Sequence, residues 1–177
     1  MKLTWFGGTT IRIHIGGAIL VVDAAAAPAG IDAAELVSGA DRVLADFGAD
    51  LPVVDASAWK PRQPMRLLDE AEGPPAVEAW SVGAGSLLID AAGEPPLLLV
   101  AGGMPVLGRW AEGAVVTLFG GGERLSALGQ TLLDDRPPRL LALAGDETAI
   151  DLAISTLRGR LDGTGLVALE ARLALEI

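Results

Sequence analysis

The stretch M-K-L-T-W-F-G-G-T-T-I-R-I-H-I-G-G-A-I-L-V-V-D, residues 1–23, decides the fold. K-L-T-W-F has strand character and stops at Gly7-Gly8. T-T-I-R-I-H-I then alternates strictly. Ile11, Ile13 and Ile15 fall on one face and Thr10, Arg12 and His14 on the other, the period of a half-buried strand. Gly16-Gly17 offers two residues that accept positive φ, as a two-residue hairpin turn requires. A-I-L-V-V-D follows as a strand apolar on both faces, which places it at the centre of a sheet. The chain therefore starts as an antiparallel β meander.

Beyond Asp23, A-A-A-A-P-A-G reads as a loop, and Asp32 is placed to cap a short helix over 33–37. D-R-V-L-A-D returns as a strand, and P-V-V-D-A-S as a shorter one. A helical turn is predicted over 65–71, ended by Gly73-Pro74-Pro75. The second half opens like the first: V-E-A-W-S-V, S-L-L-I-D and L-L-L-V-A form a second meander. Residues 104–110 read as a short helix or loop. Then come the strand A-V-V-T-L-F, a helix over 123–133, the strand R-L-L-A-L-A and a helix over 147–157 capped by Asp146. In the tail, every odd position from Val167 to Ile177 is apolar, which favours a strand.

The totals limit what such a chain does. Its 177 residues predict a single domain over 1–177 with a full core, built of Leu, Val, Ile and Ala because only 4% is aromatic. The net charge of -10 opposes phosphate backbones and anionic membranes, so no nucleic-acid and no membrane partner is expected. No apolar run reaches the ~18 residues of a membrane span. The N-terminus enters a strand pattern directly, without the apolar region of a signal peptide, so a cytoplasmic location is expected. With no cysteine, thiolate metal sites and cysteine nucleophiles are excluded. With His14 the single histidine, so is any mechanism that needs two.

Residues 1–23 resemble the opening of the metallo-β-lactamase-fold hydrolases, in particular their small lactonase-like branch, whose start reads roughly M-K-[IL]-T-[WY]-[LF]-G-H-[AS]-x-[FV]-x-[IL]-x-x-G-G before a strand ending in I-D-P. Asp23 falls on the aspartate of that strand end, and Gly8 where the branch carries histidine. The resemblance implies an α/β (α+β) chain folded as a four-layer αββα sandwich, trimmed, with each half supplying one sheet and the site at one edge between them.

The family's metal loop, T-H-x-H-x-D-H, aligns with A-D-F-G-A-D-L. Asp46 then stands at the first histidine, Gly48 at the second, Asp50 at the aspartate and Leu51 at the last histidine. The family's metal-bridging aspartate, in G-D-T, aligns with Gly103, and no histidine follows R-L-L-A-L-A. The family's reaction, as the resemblance implies it, is hydrolysis by metal-bound water, which needs three protein ligands per ion and an open position. Asp23, Asp46 and Asp50 are the candidate ligand-binding residues left in this degenerate site. Their carboxylates suit a hard cation such as Mg²⁺ or Ca²⁺, not a histidine-rich zinc site. As local structure, Asp46 and Asp50 need only cap the turn after a strand.

Other motifs have structural readings beside functional ones. Gly120-Gly121-Gly122 precedes a helix, where phosphates are often cradled, but Leu125 breaks G-x-G-x-x-G and Glu123 opposes an anion. Asp146 and Glu147 suit a helix start as well as an acid pair. Ser81, Ser86 and Ser126 lack a nucleophile-elbow setting. Trp59, Trp80 and Trp110 are contact candidates or ordinary core.

The expectation is thus a non-catalytic metallo-β-lactamase-like domain, a binding or assembly protein with no metal and no cofactor. Its partner is a protein, a small molecule or a second copy of itself in a homo-oligomer. The alternative is a metal-dependent hydrolase of esters, lactones or phosphoesters built on Asp23, Asp46 and Asp50. A third reading drops the resemblance for an unrelated α/β domain with a ligand at its strand ends.

Overall fold

The structure is a computed structural model that describes residues 1–48, 50–62 and 77–177. The helical turn expected over 65–71 lies outside the described residues. The opening meander is present as β1 (Lys2–Gly7), β2 (Thr10–Ile15) and β3 (Ala18–Val22), joined antiparallel. Gly16 and Gly17 have φ of 54° and 80°, the two positive values of a tight hairpin turn. β4 (Arg42–Leu44) lies parallel to β3, reached through α1 (Ala33–Val37), whose cap Asp32 accepts the Ala34 N–H at 2.8 Å.

The second half repeats this plan. β5 (Val77–Gly83), β6 (Ser86–Ala91) and β7 (Leu97–Val100) run antiparallel, and β8 (Val115–Phe119) lies parallel to β7. Both opening hairpins bulge at the same point, between Trp5 and Gly7 and between Ser81 and Gly83. At Gly7 (φ 120°) the turn leaves no room for a side chain, because a Cβ would lie 2.5 Å from Pro28 Cγ. The repeat ends there. Two βαβ steps follow, through α2 (Gly122–Asp135), β9 (Leu140–Ala144), α3 (Glu147–Leu157) and β10 (Gly165–Ala168), all strands parallel.

The tail is not one strand. β10 pairs with β9, the chain turns through Arg172 (φ 69°), and β11 (Ala174–Glu176) pairs antiparallel with β1 in the other sheet. Apolar alternation over 167–177 is right for each half of this path, but stacked sheets lie ~10 Å apart and no single straight strand joins both. Sheet orders are β11-β1-β2-β3-β4 and β10-β9-β8-β7-β6-β5, so each half does not supply one sheet alone: β11, from the C-terminal tail, completes the sheet of the N-terminal half. P-V-V-D-A-S makes only an isolated bridge, Val53 to Ser81.

Two apolar layers organise the chain. Between the sheets, Leu3, Ile11, Ile13, Ile15, Leu20 and Val22 meet Leu87, Ile89, Leu97, Leu99 and Phe119. Behind the second sheet, Leu88, Leu98, Val116 and Leu141 meet Leu125, Leu132, Ile150 and Leu157 of α2 and α3. The chain is therefore mixed α/β, with two mixed sheets and three α-helices among the described residues. The outer side of the first sheet carries α1, docked where Arg12 donates to the Leu36 and Ser38 carbonyls. Among the described residues no helix is long and apolar enough to cross a membrane.

Candidate functional site

Strands β7, β8 and β9 run parallel and end at Val100, Phe119 and Ala144. Open α/β sheets leave their crevice at such carboxyl ends. Here an open cleft of about 530 Å³ lies there, closed on its other side by the β1–β2 turn. Trp5, Ala101 and Phe119 give it apolar walls, the backbones of Gly7, Gly8, Gly120, Gly121 and Gly145 line it, with open space beside Gly121, and Thr9, Arg124 and Asp146 bring polar groups. A second opening, shared through Ala101, continues past Gly85 and Ser81 to Gly48 and Asp46.

The polar groups are held in place. Arg124, in the first turn of α2, donates to the Ala101 carbonyl at 2.7 Å and to that of Gly102. This ties the start of α2 to the loop after β7 and fixes a cation at the cleft's rim. Asp146 faces its own helix, accepting the Ala149 N–H at 2.8 Å. The α2 cap, Gly121, makes no side-chain cap bond. Thr9 donates to Asp23 Oδ2, and Thr10 donates to the Asp23 carbonyl at 2.8 Å.

The three candidate carboxylates have different tasks. Asp23 sits in the left-handed region (φ 53°, ψ 49°) and, through Thr9 and Thr10, ties the end of β3 to the start of β2. Asp46 accepts the Gly48 N–H at 2.8 Å, a turn cap of the kind short acidic side chains make. Asp46 and the exposed Asp50 line one shallow cleft with Arg42. Among the described residues no three His, Asp or Glu side chains come together where they could hold a metal ion. Leu51 packs against the core between the sheets, and the Gly103 carbonyl accepts the Ser86 hydroxyl at 2.9 Å.

The remaining sequence candidates are spread over the molecule. His14 lies on the outer face of the first sheet, paired across strands with Lys2 and Ile19. It is on a central strand, not at a sheet edge. Ser81 and Ser126 make long side-chain bonds of 3.5 Å to the Gly83 carbonyl and to Thr156. Trp59 stands edge-on to both Trp80 and Trp110, with ring centres 5.8 and 5.0 Å away. The residues that reading the sequence passed over are Thr9 and Arg124. Their signals were available: a hydroxyl next to the first glycine turn, and a cation two residues into the helix that follows Gly120-Gly121-Gly122.

Two outcomes test these placements. Partial burial first, then the charges of Arg12 and Lys2, lower the His14 pKa from its usual 6.5. The folded chain then binds this proton less readily than the unfolded one. The resulting stability is complete above pH 6.5 and falls away as the pH drops through the lower folded value. His14→Gln is expected to lose less stability than the parent chain between pH 7.5 and 5, read by urea unfolding at each pH. For Asp23, both Asp23→Gly and Asp23→Ala lose the Thr9 bond, but only alanine strains at φ 53°. The alanine variant is expected to be the less stable of the two, by up to about 1 kcal/mol, in the same assay.

Compared with protein-family models, with curated proteins and with solved structures, the chain matches none.

Proposed function

We propose that this chain is a trimmed metallo-β-lactamase-like αββα domain, with α1 as its reduced outer layer, and that it is a non-catalytic binding protein. Its ligand is a small molecule with a flat apolar body and one anionic group, taken in the cleft between Thr9 and Arg124. The observation that carries this reading is the cleft itself: apolar walls, glycine-lined space and a fixed guanidinium at the strand ends. Apolar surface with a few placed polar groups is the usual make-up of a small-molecule site. The arginine stands out in a chain of net charge -10, where an anion needs a local partner.

The hydrolase alternative needs Asp23, Asp46 and Asp50 around one ion. Asp23 is instead engaged by Thr9, and Asp46 by the Gly48 N–H. Elemental mass spectrometry of protein purified without chelator separates the two readings. The binding reading expects less than about a tenth of a metal ion per chain. Near-stoichiometric metal, lost in Asp46→Ala, would overturn it in favour of the hydrolase.

The cleft is probed with anilinonaphthalene sulfonate, an aromatic body bearing one anion. Gly121 lines the cleft, has open space where a Cβ would stand and has an ordinary φ of -77°, so Gly121→Phe adds a ring at the cleft's wall without backbone strain. The parent chain is expected to bind the dye saturably. Gly121→Phe should abolish binding, and Arg124→Gln should weaken it by roughly tenfold. Equal binding by all three proteins would remove the cleft as the site.

A further inference from the structure

Residues 52–62 start beside the edge strand β5, where Val53 bridges to Ser81, and pass over the outer face of the second sheet to Asp90 of β6. Most of this segment is exposed, Val53 by 81%, yet it is pinned at four places. Val54 donates to the Ser81 carbonyl and Ser81 to that of Pro52, both at 3.0 Å. The Ala56 carbonyl accepts both Trp110 Nε1, at 2.6 Å, and the Gly108 N–H, at 3.1 Å. Trp59 is held edge-on by Trp80 and Trp110. At the end, Arg62 meets Asp90 and Glu78.

The last attachment differs in kind. Glu78 and Asp90 are directly opposed across β5 and β6, and like charges so placed repel. Asp90 is 1% exposed. Arg62 Nε lies 3.1 Å from its Oδ2, and Arg62 Nη1 lies 3.4 Å from Glu78 Oε1. One guanidinium thus bridges a repelling pair of which one member is buried. A buried carboxylate that loses its cation is strongly destabilising. The other three attachments are the backbone bonds with Ser81, the Trp110 indole and Gly108 bonds to the Ala56 carbonyl, and the ring contacts of Trp59. Ala56 is buried, but the chain on either side of it is exposed, and such thinly covered segments belong to the low-stability end of a fold.

We infer that residues 52–62 form a strap that opens as one unit, and that Arg62 is its latch. Latched, the strap covers Trp80 and Trp110. Released, it bares them while both sheets stay folded. Among the described residues Arg62 makes the strap's ion pairs, so its electrostatic closure depends on one side chain.

Hydrogen exchange on the full chain, resolved to single amides, tests this. The reporters are Val54, Ser81 and Gly108, whose N–H groups bond between strap and body. The reference is the set of β8 amides between β7 and β9. In the parent chain the reporters are expected to exchange together, at least about tenfold faster than the reference. Arg62→Gln should speed all three by about a hundredfold and leave the reference unchanged. If Arg62→Gln does not fold, Arg62→Lys, which keeps the charge but not the bridging fork, reads the same amides and should speed them by a smaller factor. Reporters that exchange with the β8 amides in every variant would show that no separate strap exists. Reporters unmoved by substitution at Arg62 would show that the latch lies elsewhere.

Discussion

The apolar layer between the two sheets is the interaction on which the rest of the structure depends. Ile11, Ile13 and Ile15 supply one side of it, and Leu87, Ile89 and Leu99 the other. Each is fully or almost fully removed from water, and burial of such a side chain contributes about 1.5–3 kcal/mol. This layer is made mostly of branched aliphatics around Trp5, Phe47 and Phe119, and their shapes fix how the sheets stack. That stacking in turn decides which strand ends meet. The cleft between Thr9 and Arg124 lies where β1–β2 of one sheet faces the ends of β8 and β9 in the other, so it exists only because the two sheets share this core.

A second constraint acts at the edge of that layer. The chain passes from the second sheet to the first after Ala168, and Leu169 is buried in the shared core as it does so. The Arg172 N–H then donates to the Trp5 carbonyl at 2.7 Å, and β11 closes onto β1. The last strand thus locks the sheet that the first strand began. Trp5, one wall of the cleft, sits at this lock, and its Nε1 donates to the Gly8 carbonyl at 3.0 Å. The geometry of the candidate site is therefore coupled to a residue far away in sequence, through two hydrogen bonds of the same tryptophan.

Local patterns were legible wherever one residue type has one physical use. The alternation of Ile11, Ile13 and Ile15, the turn at Gly16-Gly17 and the caps Asp32 and Asp146 could all be read from the sequence, since each depends on neighbours a few residues away. The tail could not be read in this way. Alternation specifies which face is buried but not which sheet supplies the partner, so Val167 and Leu175 look alike in sequence and belong to different sheets. The site was partly hidden for the same reason. Thr9 and Arg124 are ordinary residues until the sheets bring the first glycine turn against the start of α2. Arg62 and Asp90, 28 residues apart, carry no motif at all.

On the proposed family reading, the positions of the lost metal ligands have not been left idle. Leu51 now packs against the shared core, Gly103 offers its carbonyl to Ser86, and Asp46 caps its own turn. Asp23 holds the end of β3 against the start of β2 through Thr9 and Thr10. Leu51, Asp46 and Asp23 perform these tasks with their side chains, and Gly103 with its backbone carbonyl. A metal crosslinks loops and supplies stability as it binds. In this chain the corresponding loops are held by side-chain hydrogen bonds and apolar contacts. On the same reading, a ligand restored at Leu51 would remove an apolar contact with the shared core, whereas one at Gly103 would leave its carbonyl bond to Ser86 in place. The cleft beside those loops stays open, with its walls fixed by the core, its space lined by glycine and its charge set by Arg124.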